Sequence, residues 1–237
     1  MFRLHPRYFY LIRKNRKLDR QREIERKNIF IITSCINTYD EKKYVNHNLA
    51  HSPEVRFDEV LTGLRSIGEN YADRYIIFVE NSRISAEKER RIRSMVDEYH
   101  NYSDADLIKI ARRHYNKGVP QFAALIKFIE ENEGKYRADV FHFLGARYTL
   151  TGSVATGVDR PGAYFLFYPA GGNISTRYFF LKKMELTYIL SPFRKTLYCA
   201  IFGNSVEDYL HRFIRDIHFV DVLKVAGKVN GVEMVKE

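Results

Sequence analysis

Four short segments of this chain carry side chains suited to chemistry: Thr33-Ser34, Glu80-Asn81-Ser82, Asn116-Lys117-Gly118 and Gly145-Ala146-Arg147-Tyr148. Each comes after an apolar run of strand length. Open parallel sheets bind ligands at the carboxyl ends of their strands, and hydroxyl, amide and cationic groups at such ends suit a nucleotide or another polar ligand. Their joint placement, more than any one of them, points to a polar-ligand site. The familiar phosphate motifs are absent. There is no Walker A loop and no G-x-G-x-x-G after the first apolar run. His47 and His51 stand four apart but lack the glutamate of a metalloprotease helix, and no cysteine cluster suits zinc, so no metal ligands are assigned. His142, between Phe141 and Phe143, reads as a core histidine.

The elements that must position these segments follow from periodicity. Ile29-Phe30-Ile31-Ile32 is a continuous apolar run, the mark of a strand buried on both faces. Phe57, Val60, Leu61, Leu64 and Ile67 fall at three- and four-residue spacing and predict a helix over 53–68 with Pro53 in its first turn. Tyr75 to Val79 is a second strand, and Ser85 caps a helix whose inner face is Ile92, Met95, Val96 and Tyr99. Leu107 to Ala111 reads as a third strand, Pro120 opens the next helix, and Val140 to Leu144 is a fourth strand. This β-α alternation predicts an α/β fold with a mostly parallel sheet wound with helices. After Thr149 the pattern becomes α+β. Strands are expected at 163–168 and 177–181, helices near 184–202 and 205–217, and a last strand pair around Gly227. This half is expected to lie over the C-terminal edge of the sheet.

Length and charge bound the rest. The 237 residues suit one well-cored domain. Of the net charge of +10, residues 1–27 hold +7, so they read as a basic N-terminal extension and 28–237 as a single, mildly basic domain. That distribution argues against nucleic acid as a partner; residues 1–27 read as a solvated tail or an appended helix, or, on a sharper reading, as a peripheral contact with an anionic membrane. No apolar run is long enough to span a bilayer. Two isolated cysteines, Cys35 and Cys199, make no disulfide framework and fit a cytoplasmic setting.

The order of motifs resembles a group of small viral and bacterial glycosyltransferases of the GT-A type, which are Rossmann-like. The resemblance rests on Asn28 to Ile36, Arg56-Phe57 with Gly63 to Ile67, and Ile76 to Ser82. It continues through Asn116-Lys117-Gly118, Phe143 to Tyr148, Val206 to Leu210 and Ala226 to Gly231. It implies a nucleotide-diphosphate sugar donor, a UDP- or GDP-sugar. Thr33, Ser34, Arg56 and Glu80 would meet base and ribose; Asn116, Lys117 and Gly118, with Arg147 and Tyr148, would lie near the diphosphate. A guanidinium at Arg147 suits bidentate contact with phosphate, and Lys117 acts as a point charge. The chain departs from the group at Pro120-Gln121, where relatives carry Gly-Glu, and at Gly145-Ala146, where they carry Ser-Gly. The metal-binding Asp-x-Asp of GT-A enzymes is missing, so either Mn or Mg is held otherwise or the leaving-group charge is met by Arg147, Lys117 and other cations.

The resemblance also implies the reaction: an inverting sugar transfer to a glycan or lipid-linked acceptor, with Glu207-Asp208 as the catalytic carboxylates. The same pair at a helix start serves equally as a cap, Ser205-x-x-Asp208 being a capping box. Glu185 is a reserve candidate. The alternative is a catalytically inactive member of the fold that binds a nucleotide or a partner.

Overall fold

The computed structural model describes residues 23–37, 52–114, 116, 118–154, 160–168, 172–220, 223–229 and 232–233. Lys117, His47, His51 and the greater part of the basic extension lie outside the described residues. Strand β1 (Ile24–Ser34) leads to helix α1 (Pro53–Asn70), β2 (Tyr75–Glu80), α2 (Ala86–Arg93) and β3 (Glu98–Asn101). Then come α3 (Asp106–Ala111), α4 (Gly118–Glu131), β4 (Tyr136–Gly145) and β5 (Thr149–Leu150). The second half holds β6 (Gly162–Tyr168), β7 (Asn173–Ile174), β8 (Tyr178–Lys182), a 3-10 turn (Leu186–Ile189) and α5 (Leu190–Ile201). It closes with α6 (Val206–Tyr209), a second 3-10 turn (Leu210–Phe213), β9 (Ile217–Val220), β10 (Val225–Ala226), β11 (Lys228–Val229) and β12 (Val232–Glu233).

One sheet runs in the order β3-β2-β1-β4-β8-β6-β7, with β9 also paired to β6. Strands β3, β2, β1 and β4 are parallel. Strand β8 then runs antiparallel to both β4 and β6. Strands β8, β6, β7 and β9 therefore extend the sheet sideways, while α6 and the chain around Gly227 come to its carboxyl edge. Along β1 the side chains alternate between two cores: Ile29 and Ile31 face the layer of α4 and α5, while Phe30 and Ile32 face α1. Both faces being covered, the run is apolar without alternation. Helix α1 is capped by Ser52, whose hydroxyl accepts Val55 N at 3.2 Å. It packs so closely on the turn after β4 that a Cβ on Gly63 would fall 2.7 Å from the Tyr148 carbonyl oxygen.

Three expectations are corrected. Leu107 to Ala111 is part of helix α3, with Ile108 and Ala111 buried three residues apart. The third strand is Glu98–Asn101, so Tyr99 lies on a strand and α2 ends at Arg93. The stretch 205–217 is one helical turn and a 3-10 turn before β9. In addition, β1 starts at Ile24, four residues before Asn28, because Ile24, Glu25 and Arg26 pair with Tyr136, Arg137 and Ala138 of β4. No helix among the described residues is long and apolar enough to cross a membrane.

At the amino end of the parallel strands, Glu98 gathers four donors. Its Oε1 accepts the Tyr75 hydroxyl at 2.7 Å. Its Oε2 accepts Lys135 Nζ and the Tyr136 hydroxyl, each at 2.7 Å, and sits 3.2 Å from His100 Nε2. Burial alone raises the carboxyl's pKa, but the bonds from His100, Lys135, Tyr136 and Tyr75 outweigh it and hold the group well below the usual carboxylate range. Replacing Glu98 by Ala strands one ammonium and two phenols in a largely buried place. Urea unfolding should show a loss of about 3 kcal/mol; a change within 0.5 kcal/mol, about the scatter of ordinary surface substitutions, would mean the cluster is solvated.

Candidate active site

The carboxyl edge of β1 and β2 is tied together by one buried carboxylate. Glu80 is fully buried at the end of β2, and burial pushes its pKa up. Its Oε1 accepts Ser82 N at 2.8 Å, the Ser82 hydroxyl, and Ile36 N at 3.3 Å. The Ser82 hydroxyl in turn accepts Asn37 N at 3.0 Å. Arg56, in the first turn of α1, donates to the Cys35 carbonyl at 3.1 Å. Glu80 and Arg56, both expected to meet ligand, thus hold the backbone of the loop after β1. Thr33 and Ser34 end β1 nearly buried. The Thr33 hydroxyl accepts Gln121 Nε2 at 3.0 Å, so the residue that departs from the relatives' Glu is spent on the strand end.

The start of α4 is fastened in the same manner. Asn116 Oδ1 accepts Gly118 N at 2.9 Å, while its Nδ2 donates to the Asn204 carbonyl at 2.9 Å. His114 Nε2 lies 3.1 Å from the Ile201 carbonyl oxygen. A Cβ on Gly118 would come within 2.7 Å of Val206 Cγ2, so α6 rests directly on the first turn of α4. Asn116 and Gly118 therefore bring α6, with its acidic first turn, up to the edge of the sheet.

After β4 the chain turns sharply, Tyr148 N donating to the Gly145 carbonyl at 3.0 Å. The Tyr148 ring lies against Gly145 and Gly227, where a Cβ would meet it at 3.0 and 2.3 Å. Arg147 is directed to α1, its Nη1 3.7 Å from Glu59 Oε2. It is not among the residues that line the cavity described next.

A cavity of about 370 Å³ opens beside this edge. It is lined by Tyr168, Asn173, Ile174, Ser175, Thr176, Arg177, Ser205 and Glu207. Because β8 is antiparallel to β4, the beginning of β8 meets the end of β4: Leu144 pairs with Tyr178, and Gly145 N donates to the Arg177 carbonyl at 2.8 Å. Glu207 comes from the first turn of α6. Its Oε1 accepts the Thr176 hydroxyl at 3.0 Å and its Oε2 the Ser205 hydroxyl at 2.7 Å. The Ser205 hydroxyl also accepts Glu207 N at 3.1 Å, so the cap partner is Glu207 and not the expected Asp208. Arg177 Nη1 donates to the Tyr168 hydroxyl at 2.8 Å. One carboxylate and one guanidinium thus share a polar cavity. Of the expected acidic pair only Glu207 lines it, and Glu185, exposed at the first 3-10 turn, does not.

Thr176, Arg177 and Tyr168 were not expected from the sequence. The run Ser175-Thr176-Arg177 precedes a strand, and residues before a strand reach the ligand edge only when that strand runs backwards. Among the described residues, this edge does not fit a divalent metal. The end of β4 reads Gly145-Ala146-Arg147 and offers no carboxylate. No group of three His, Cys, Asp or Glu among the described residues could hold an ion.

With this arrangement in view, the fold has recognisable counterparts. The glycosyltransferase GlyE of Streptococcus pneumoniae superposes with a TM-score of 0.52 at 12% identity, over 83% of this chain and 45% of that one. The fold is GT-A. The GT-A galactosyltransferase LgtC, crystallised with donor and acceptor sugar analogs, gives 0.47 at 8% identity, over 81% of this chain and 72% of LgtC. The mannosyltransferase Ktr4p of S. cerevisiae gives 0.46 at 10% identity, over 82% and 68%. The chain spans less than half the length of GlyE. No protein-family model and no curated protein matches the sequence.

Proposed function

We propose that the chain is a glycosyltransferase that moves a sugar from a nucleoside-diphosphate donor, a UDP- or GDP-sugar, to a hydroxyl of a glycan or lipid-linked acceptor. The observation that carries this reading is Glu207, a carboxylate facing a polar cavity at the carboxyl edge of a GT-A sheet. Thr176 and Ser205 fix both of its oxygens, so it meets an acceptor hydroxyl in one orientation. It would take the hydroxyl proton as the acceptor oxygen attacks the anomeric carbon, with inversion there. Asp208 is the reserve base.

The donor's base and ribose are assigned to the strand ends carrying Thr33 and Ser34, on the loop that Arg56 and Glu80 hold. Its diphosphate would lie toward the Asn116-Lys117-Gly118 turn and the Gly145 end of β4, with Arg147 and Tyr148 framing that end. Work at the cytoplasmic face of a membrane, with residues 1–27 on anionic lipid, would bring a lipid-linked acceptor to the cavity. The alternative of an inactive, nucleotide-binding chain is favoured by one feature, the strand end without carboxylates at Gly145-Ala146-Arg147.

Thermal unfolding with UDP, GDP, CMP and ADP, each with and without manganese, tests the donor site. A diphosphate at one hundred times its Kd stabilises by about 2.7 kcal/mol, which raises Tm by roughly 5–10 °C for a chain of this size. One diphosphate should stand out. No shift with any of the four would remove the donor site. Binding without turnover of the matching nucleotide sugar would leave the inactive alternative.

A further inference from the structure

We propose that Arg177 does the work of a divalent metal in this chain, meeting the charge of the departing nucleoside diphosphate, so that transfer needs no metal ion. The inference rests on the glycosyltransferase reading above and deepens it. It begins from a mismatch: the strand end of β4 is Gly145-Ala146-Arg147, with no carboxylate to hold a cation. Arg147, on the turn after it, is directed to Glu59 on α1.

The neighbouring strand supplies the charge. The Arg177 carbonyl accepts Gly145 N at 2.8 Å, so the backbone of Arg177 is hydrogen-bonded to the last residue of β4. Its guanidinium lines the same cavity as Glu207 and donates to the Tyr168 hydroxyl, which sets its direction. A guanidinium is charged at every working pH and matches phosphate oxygens in a planar fork. Fixed before the reaction and partly shielded from water, such a charge favours the transition state, where negative charge grows on the leaving group. The step balances without a co-reactant. The acceptor oxygen bonds to the anomeric carbon while the carbon–oxygen bond to the β-phosphate breaks. The electron pair leaves on the phosphate oxygen beside Arg177, and the hydroxyl proton passes to Glu207.

Two readouts test it on the full chain. The first is turnover of the UDP- or GDP-sugar that the nucleotide panel selects, in excess EDTA and in manganese. The rates should agree within about twofold, and Arg177→Met should lower kcat by roughly 10²–10³-fold, with Arg177→Lys recovering part of the loss. The second is calorimetric binding in EDTA of the nucleoside diphosphate against the nucleoside. Arg177→Met should weaken the diphosphate at least tenfold and leave the nucleoside unchanged. Tyr168→Phe, which keeps the guanidinium and removes one hydrogen-bond partner, should cost far less than Arg177→Met and shows whether a packing fault explains the loss. Turnover abolished by EDTA and restored by manganese would overturn the inference and leave the glycosyltransferase reading intact, as would equal losses for diphosphate and nucleoside. Failure of the unaltered chain to bind any nucleoside diphosphate would bring down both.

Discussion

Glu207→Gln should lower kcat roughly 10³-fold while leaving donor affinity within twofold, since a positioned general base contributes about 10²–10⁴-fold. The expectation comes from the cavity wall. The amide keeps one oxygen to accept from Thr176 or Ser205, so the loop and the α6 cap survive, but it cannot take up the acceptor's proton. The loss corresponds to about 4 kcal/mol of barrier. Asp208→Asn, next along the helix but off the cavity, should change kcat by less than threefold. Initial rates for both variants, with donor and acceptor varied separately, distinguish the two carboxylates. If Asp208→Asn proves the crippling change, the base is Asp208 and the cavity is not where the proton moves.

A second effect, on stability, should appear on mild acidification, and it should trace to His142. That ring is fully enclosed, stacked 4.2 Å from Phe30 and nearly parallel to it. Its Nδ1 accepts the Tyr178 hydroxyl at 2.7 Å. Its Nε2–H donates to Asn28 Oδ1 at 3.1 Å, and Asn28 Nδ2 passes the chain on to the Asp73 carbonyl at 2.9 Å. Both ring nitrogens are thus used by a neutral imidazole, and burial pushes the pKa from 6.5 down to about 3. The sign follows from the depressed value. Above pH 6.5 the ring is neutral whether folded or unfolded and contributes no slope. Below it the unfolded chain takes up a proton that the folded chain refuses, so stability falls as pH falls, by about 1.4 kcal/mol per unit, until about pH 3. Glu98 adds its own loss only lower, once the pH drops below an unfolded carboxyl's value. Unfolding free energies measured from pH 7 to pH 5 should therefore decline in the native chain. His142→Phe keeps the stack on Phe30 but leaves Tyr178 and Asn28 short of a partner. It should be less stable at neutrality and have a shallower slope. An unchanged slope would mean that the ring takes up its proton inside the fold.

The parallel half of the sheet was legible because burial on both faces writes a plain signal. Ile29 to Ile32 and Ile76 to Val79 are apolar at every position since alternate residues enter different cores. Strand β3 was not legible. It is an edge strand, and Glu98, His100 and Asn101 read as a helix surface. Leu107 to Ala111 misled for the opposite reason: five residues with Leu, Ile and Ile fit a strand and a single helical turn equally well. At the site, Glu207 was reached through the resemblance, which paired it with Asp208, while its place at a helix start suited a cap equally well. Arg177 could not be read from the sequence, because its role depends on β8 running backwards beside β4, a pairing that no local pattern encodes. Arg56 and Asn116, expected at the ligand, act in the structure as fasteners of backbone. Asn116 binds a carbonyl 88 residues further on, and single-sequence periodicity carries no record of such a partner.

The hydrogen bond between Gly145 N and the Arg177 carbonyl has one more implication, for how this protein can vary. It ties Arg177 to the end of β4, while Glu207 on α6 is clamped from both sides by Thr176 and Ser205. What remains adjustable is the rim, at Tyr168 and Asn173. Descendants of this chain could change their preferred sugar by altering that rim while the strand pairing beneath stays the same. A library randomised only at the rim should yield new specificities more readily than one that also disturbs the strands.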